Sequence, residues 1–139
     1  MRNNLILTYP SFQDINISTI DFRKFNLQNL NKNDFVYIDP PYLIARADYN
    51  TGKTAGLSWN ERDELDLYNI LDDLTKNKIN WGFSNFLKNK NKINYMLNDW
   101  IQNNKYTTYN IKANYSKLTN KLDRIVDPTM EILITNYKM

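Results

Sequence analysis

A short apolar run, Phe35–Ile38, ends abruptly at two consecutive prolines, and this constrains the fold more than any other feature. A continuous run of this kind is typical of a strand buried on both faces of a sheet. Prolines cannot continue a central strand, because each lacks a backbone N–H and has a fixed φ. We therefore predict a buried strand that stops at a stiff turn, Asp39-Pro40-Pro41-Tyr42, which projects a carboxylate, a carbonyl and an aromatic ring.

The segments around this strand alternate between strand and helix patterns. Ser58 and Glu61 match a capping box, which places a helix start there. Alternation of this kind predicts an α/β fold with a mostly parallel sheet and helices on its faces. In chain order we predict a strand over Ile17–Ile20, a short helix over Phe22–Leu30, a turn over Asn31–Asp34, a loop over Leu43–Leu57, a helix from Ser58 to about Thr75, a strand over Ile79–Ser84, a helix over Asn91–Gln102, a strand over Tyr106–Ile111, a loop over Ala113–Pro128 and a strand over Met130–Thr135.

Polar and aromatic pairs follow three of these predicted strands. They are Asp21-Phe22, Asp39–Tyr42 and Ser84-Asn85. Parallel sheets bind ligands at the carboxyl ends of their strands. The sequence therefore predicts a single ligand site on one rim of the sheet.

Composition narrows the chemistry available at that rim. The 139 residues include no Cys and no His, which excludes a disulfide framework, thiolate chemistry, histidine general bases and the usual zinc sites. We predict no metal site, no signal peptide and no membrane span, since no apolar run approaches the roughly 20 residues that a span needs. The net charge of +3 agrees either with a nucleic-acid partner or with the Lys/Asn-rich usage of an AT-rich genome.

The turn at Asp39–Tyr42 matches the needs of an amino-bearing nucleobase that has left its stack. The Asp39 carboxylate and the Pro40 carbonyl are two fixed acceptors for the two hydrogens of an exocyclic amino group. Such bonds would favour a more pyramidal nitrogen and stabilise positive charge in a methyl-transfer transition state. The Tyr42 ring could stack on the base. The alternative is that the turn is only a rigid structural corner.

The segment F-V-Y-I-D-P-P-Y-L, residues 35–43, closely resembles the catalytic motif of the Dam-like (D12 class) DNA adenine-N6 methyltransferases. Four further segments are similar to this family in the same order: Asp21-Phe22, Ser58–Leu71, Trp81–Phe86 and Glu131–Tyr137. The resemblance implies a partial Rossmann-like methyltransferase fold with an antiparallel C-terminal strand. It also implies methyl transfer from S-adenosylmethionine to adenine N6 of double-stranded DNA, in the cytoplasm of a bacterium or phage.

The resemblance assigns expected roles to individual residues. Asp39, Pro40, Pro41 and Tyr42 form the catalytic turn, and Asp21, Phe22 and Asp39 bind the cofactor. Asp21 could instead cap the following helix, and Phe22 could pack in the core. A base pocket is expected from Tyr42, Tyr49, Trp59, Ser84 and Asn85, with Phe86 beside it. Tyr49, Trp59 and Phe86 could instead be core, and Ser84 and Asn85 could instead form a strand-end turn. Five basic loop residues could contact phosphates or be solvated surface charges: Arg46, Lys53, Lys117, Lys121 and Arg124.

One family feature has no counterpart in this sequence. The family has an aromatic-glycine-rich loop near its N-terminus that holds the methionine part of the cofactor, whereas this chain has no Gly before Gly52. We therefore expect the isolated chain to bind S-adenosylmethionine weakly. The resemblance implies that the chain is a single α/β domain from the C-terminal part of the enzyme. It would be either a truncated enzyme or one half of a split enzyme, whose other chain carries the loop. The alternatives are a non-catalytic relic or DNA-binding module, and an amino-methyltransferase of RNA or protein.

Overall fold

The computed structural model describes residues 15–45, 59–111 and 129–138. Two short 3₁₀ helices, Phe22–Lys24 and Leu27–Asn29, come first in these ranges. They are followed in chain order by β1 (Phe35–Ile38), α1 (Glu61–Lys76), β2 (Asn80–Asn89), β3 (Lys92–Ile93), α2 (Tyr95–Asn104), β4 (Thr107–Ile111) and β5 (Met130–Thr135). The predicted loop segments 46–57 and 113–128 lie outside the described residues.

The strands form one mixed sheet in the order β1-β2-β5-β4, with β3 paired to the end of β2. β1 is parallel to β2, while β5 is antiparallel to both β2 and β4. β1, β2 and β4 therefore run in one direction, and β3 and the C-terminal strand β5 run against them. The α/β class and the antiparallel last strand are confirmed. Most neighbouring pairs are nevertheless antiparallel, because β5 lies between β2 and β4 and separates two strands that share a direction.

The core lies between the sheet and the two α-helices. Trp100 of α2 stacks on Tyr68 of α1 at 4.3 Å between ring centroids and 10° between planes. Such aromatic pairs bury large areas of apolar surface. The buried apolar residues are Leu67, Tyr68, Leu71, Leu74, Ile79, Trp81, Phe83, Leu97, Trp100, Ile101, Ile132 and Ile134. Neither α-helix of the described ranges is long and apolar enough to span a membrane.

The start of α1 differs from the prediction. The N-cap is Asn60, whose side chain accepts from the backbone N–H groups of Arg62 and Asp63. Asp63 in turn accepts from the backbone N–H of Asn60 at 2.9 Å, which completes a capping box. The predicted cap at Ser58 is therefore wrong. An asparagine caps a helix at least as well as a serine, and an aspartate can take the position usually held by glutamate.

The end of β2 and the start of α2 also differ from the prediction. β2 does not stop at Ser84 but continues to Asn89, because β5 pairs with it as far as Lys88. Residues 92–93 pair back onto β2 as β3, so the second helix begins at Tyr95 rather than at Asn91. The Asn94 side chain caps this helix by accepting from the N–H of Leu97 at 3.0 Å.

The segment before β1 holds the largest errors of prediction. Residues 17–20 form no strand, and the Ile17 side chain is 90% exposed, because a β-branched run requires a neighbouring strand and none pairs with it in the described ranges. The predicted helix over Phe22–Leu30 is divided into two 3₁₀ turns, with extended residues at 25 and 26. β1 is not buried on both faces, since Phe35 and Tyr37 are 54% and 59% exposed.

Candidate active site

A cavity of about 680 Å³ lies beside the carboxyl end of β1. Three separate segments meet there: the first 3₁₀ helix, the end of β1 with its proline turn, and the start of α1. Six of the predicted site residues line this cavity: Asp21, Phe22, Asp39, Pro40, Pro41 and Trp59. The cavity therefore joins the predicted cofactor residues to most of the predicted catalytic turn.

The Asp39 carboxylate is anchored by two hydroxyl groups. Its Oδ1 accepts from Ser84 Oγ at 2.9 Å and from the Tyr42 hydroxyl at 3.0 Å. Ser84 is held in turn by Tyr37, whose hydroxyl donates to Ser84 Oγ at 3.1 Å. This chain of donors fixes the orientation of the carboxylate at the edge of the cavity.

Tyr42 lies between two carboxylates. Its hydroxyl is 3.0 Å from Asp39 Oδ1 and 2.9 Å from Glu131 Oε1, so a single phenolic proton is within reach of two acceptors. The ring meets Phe86 edge-on at 4.6 Å between centroids. Burial raises the pKa of Tyr42, and the two carboxylates raise it further, although the contact with Ser84 acts in the opposite direction. Tyr42 is therefore a neutral hydrogen-bond donor.

Glu131 was not predicted as a site residue. It stands on β5, where it pairs with Phe86 of β2, and it follows Tyr42 by 89 positions in the sequence. Its only sequence signal was its place at the start of an apolar strand. The contact with Tyr42 depends on the β2–β5 register, which the sequence alone does not provide.

Asp21 and Phe22 each combine a structural position with a place in the cavity wall. Asp21 accepts from the backbone N–H of Arg23 at 2.9 Å and caps the first 3₁₀ helix, so the capping alternative is confirmed. Its side chain is 45% exposed and lines the cavity. The Phe22 ring packs on Trp59 at 5.5 Å between centroids. Trp59 consequently stands with the predicted cofactor residues.

Arg23, which sequence reasoning overlooked, fastens this first 3₁₀ helix to α1. Its Nε donates to Asp66 Oδ2 at 2.7 Å, its Nη2 bonds Asp63, and its guanidinium lies 4.4 Å from the Phe22 ring centroid. Hydrogen bonds to Asp66 and Asp63 raise the pKa of Arg23. Burial raises the pKa of Asp63, but its bonds with Arg23 and the Asn60 backbone outweigh that effect and lower the pKa overall.

A buried carboxylate, Glu64, lies beneath the Trp59 wall of the cavity. It is fully buried and accepts from Trp59 Nε1 at 2.6 Å, from the Tyr68 hydroxyl at 2.9 Å and from Asn85 Nδ2 at 2.8 Å. Burial raises the pKa of Glu64, and the three donors oppose that rise by stabilising the anion. Glu64 thus fixes the plane of the indole that faces the cavity.

Ser84 and Asn85 do not form the strand-end pair on the rim that the sequence predicted. Both are buried within β2, and successive strand residues point to opposite faces of a sheet. Ser84 contacts Asp39, whereas Asn85 contacts Glu64 on the side of α1. The sequence pattern placed both residues near the predicted site, but it could not show that their side chains lie on opposite faces of the sheet.

Residues 1–124 match the family of D12 class N6 adenine-specific DNA methyltransferases. The chain belongs to this family. The match extends over most of the 139 residues and confirms the resemblance seen in the sequence.

Several bacterial modification enzymes are similar to this member of the D12 class. The chain is 35% identical over 140 residues to the modification methylase StsI of Streptococcus sanguinis. It is 33% identical over 139 residues to the type II methyltransferase M.FokI of Planomicrobium okeanokoites. Each alignment covers 99% of the chain and 21% of the relative. The modification methylase LlaI of Lactococcus lactis subsp. lactis is 31% identical over 116 residues, which cover 84% of the chain and 17% of that relative. The chain thus spans about a fifth of the length of these proteins.

The remaining predicted site residues lie outside the described ranges. These are Tyr49 of the base pocket and the five basic loop residues Arg46, Lys53, Lys117, Lys121 and Arg124. Over residues 15–45, 59–111 and 129–138, no group of three or more acidic residues is arranged to hold a metal ion.

Proposed function

We propose that this chain carries the base-binding turn and part of the cofactor site of an S-adenosylmethionine-dependent DNA adenine-N6 methyltransferase. The observation that supports it most is the placement of Asp39. Its carboxylate is anchored by Ser84 and Tyr42 at the edge of a cavity that Asp21 and Phe22 also line. Membership of the D12 class supports adenine N6 as the methyl acceptor and DNA as the substrate.

The proposed role of the turn is to hold the amino group of a flipped adenine. Asp39 and the Pro40 carbonyl would accept its two hydrogens and stabilise positive charge that develops on the nitrogen. When the amino group donates to Asp39, the Tyr42 hydroxyl still has Glu131 as an acceptor at 2.9 Å. Glu131 would thereby keep the Tyr42 ring in place while Asp39 changes partners.

The cavity fits the adenosine part of S-adenosylmethionine. Its volume of about 680 Å³ is within the range of about 300–1,000 Å³ that is usual for small-molecule sites. Phe22 and Trp59 offer aromatic surfaces, and the half-exposed Asp21 carboxylate is an acceptor for amino or hydroxyl groups. The bound cofactor would supply the electrophilic methyl group. Arg23 would keep Phe22 and Asp21 in place by holding their 3₁₀ helix against α1.

We propose further that polypeptide carrying a glycine-rich loop completes the cofactor site, either within a longer protein or as a complementary chain. The relatives are about five times longer than the aligned region, which supports additional polypeptide around the site. The exposed apolar face of β1, formed by Phe35 and Tyr37, together with the exposed Ile17, offers a surface for it.

The test is transfer of labelled methyl from S-adenosylmethionine to unmethylated duplex DNA, followed by nucleoside analysis. We expect label at adenine N6 with the wild-type chain, at a low rate if the cofactor binds weakly, and none with Asp39→Ala. Asp99→Ala removes an exposed acid from α2 and is the matched control, which should retain activity. Label on cytosine, on RNA or on protein would contradict the proposal, as would full activity of Asp39→Ala. No transfer by the wild type would show that this polypeptide is not sufficient.

A further inference from the structure

A hairpin at the end of β2 carries three lysines. Residues 88–93 form it from the last residues of β2, a tight turn and β3, and we refer to it as the basic hairpin. Lys88, Lys90 and Lys92 are the only charged residues between Phe86 and Asn98. Lys90 lies in the turn with a left-handed φ of 55°, and Lys92 is exposed. The hairpin therefore presents positive charge without a neighbouring acid in sequence.

The hairpin projects beyond the rim that carries Asp39. β1 and β2 are parallel, with Ile38 beside Phe83, and Asp39 is bonded to Ser84. β2 continues from Ser84 to Asn89, a further distance of about 17 Å at roughly 3.3 Å per residue. The basic hairpin thus stands at the same end of the sheet as the proposed base-binding turn.

One hydrogen bond ties the hairpin to the segment that follows the turn. Asn89 Nδ2 donates to the carbonyl of Ile44 at 3.0 Å, only two residues after Tyr42. The backbone N–H of Asn94 also donates to the Leu87 carbonyl at 3.0 Å and closes the base of the hairpin. These bonds hold the lysines at a fixed place relative to Asp39.

The acidic residues of α1 favour approach of a polyanion at the hairpin rather than at that helix. α1 concentrates acidic residues, and only Arg62 and Lys76 on that helix are basic. A polyanion is repelled by such a helix and attracted by the hairpin. The acidic residues of α1 that reach solvent are Glu61, Asp63, Asp66, Asp72 and Asp73.

We propose that the basic hairpin contacts the phosphate backbone of duplex DNA and holds the duplex over the Asp39 rim. This inference rests on the proposed function, because it names the surface by which that substrate is held. Lysine ammonium groups bind phosphates as point charges, so the contact strengthens binding and sets position without reading sequence.

Salt dependence of DNA binding tests the inference with two matched double variants. Lys90→Gln/Lys92→Gln removes two positive charges from the hairpin. Lys78→Gln/Lys105→Gln removes two positive charges from exposed positions just before β2 and β4, at the opposite end of the sheet. Both variants thus remove the same amount of charge, and each includes at least one residue with a φ of 55–59°: Lys90 in the hairpin variant, Lys78 and Lys105 in the control. Thermal unfolding of each variant checks that the fold is intact.

The measurement is the Kd of the chain for a fluorescent 20-base-pair duplex at several salt concentrations. Each lost phosphate contact reduces the magnitude of the negative slope of log K against log salt by about 0.9. We therefore expect the slope of the hairpin variant to be less steep than that of the wild type by about 1–2. The control variant should keep the wild-type slope, and two unrelated duplex sequences should be weakened equally.

Equal slopes for the two variants would overturn the inference, and so would a wild-type chain that does not bind the duplex at about 50 mM salt, where such contacts are strong. The proposed function fails separately. Asp39→Ala should leave the slope unchanged while it removes methyl transfer. A normal hairpin effect together with wild-type methylation that persists in Asp39→Ala would therefore contradict the catalytic proposal alone.

Discussion

Asp39 is held by one hydroxyl group that lies close in sequence and one that lies far away. Tyr42 follows it by three positions, across the two prolines from which the sequence predicted a stiff turn. Ser84 lies 45 positions further on, and its contact depends on the β1–β2 register. Sequence reasoning thus predicted the position of the Asp39–Tyr42 turn but could not predict the distant partner that orients Asp39, because that partner is set by tertiary pairing.

The hydrogen bond between Tyr42 and Glu131 should show as coupling between two substitutions. Tyr42→Phe and Glu131→Ala should each lower the free energy of unfolding by about 0.5–1.5 kcal/mol, since each removes the same hydrogen bond. The double variant should lose less than the sum of the two. Urea denaturation of the four proteins measures this. Tyr95→Phe, at an exposed position, is the control for loss of a hydroxyl group. Additive losses would show that the two residues act independently.

Glu64 should make stability depend on pH. Burial raises its pKa above the ordinary value of 4.5, so the folded state binds the proton more tightly than the unfolded state. The stabilisation that this proton gives to the folded state is fully present below pH 4.5 and is lost as the pH rises through the raised pKa of Glu64. Relative to Glu64→Gln, which cannot titrate, the wild type should therefore lose stability across this window. Urea titrations of both proteins from pH 4 to pH 8 would reveal it, and parallel curves would contradict it.

At the scale of elements, apolar runs with clear ends were predicted well. The bounds of β1 and β5 agree with the structure, because prolines end the first strand and the second is a plain apolar run. Residues 17–20 failed, since β propensity without a partner strand does not make a strand. β2 was cut short at Ser84, because polar residues within a strand look like an end unless the pairing with β5 is known.

The start of α1 gives a direct comparison of prediction and structure. Asn60→Ala should lower the free energy of unfolding by about 1 kcal/mol, since it removes the acceptor for two backbone N–H groups. Ser58→Ala should change it by much less. Thermal unfolding of the two variants decides between the caps. A larger loss for Ser58→Ala would restore the sequence-based assignment.

At the scale of the whole molecule, the cavity is assembled from three segments that are distant in sequence. Ile20–Arg23, Tyr37–Pro41 and Trp59–Leu67 each contribute lining residues, and Arg23 joins the first of them to α1. A molecule bound there would contact all three and stabilise their packing. The sequence predicted that Asp21-Phe22 and Asp39–Tyr42 share one rim, although the strand expected before Asp21 does not form. It did not predict that Trp59 faces Phe22 while Ser84 and Tyr42 orient Asp39 from the other side.

Binding of adenosine should therefore raise the melting temperature of the chain. A ligand that binds only the folded state adds about 2.7 kcal/mol at 100 times its Kd, and for a chain of this size that corresponds to several degrees. Methionine, which lacks the adenosine group, should give no comparable shift. Phe22→Leu should reduce the adenosine shift because it removes an aromatic wall of the cavity. Phe25→Leu is the matched control, since Phe25 is 49% exposed and does not line the cavity. Equal shifts for all three proteins would place the ligand elsewhere, because a cavity-bound adenosine has to contact the Phe22 ring that packs on Trp59.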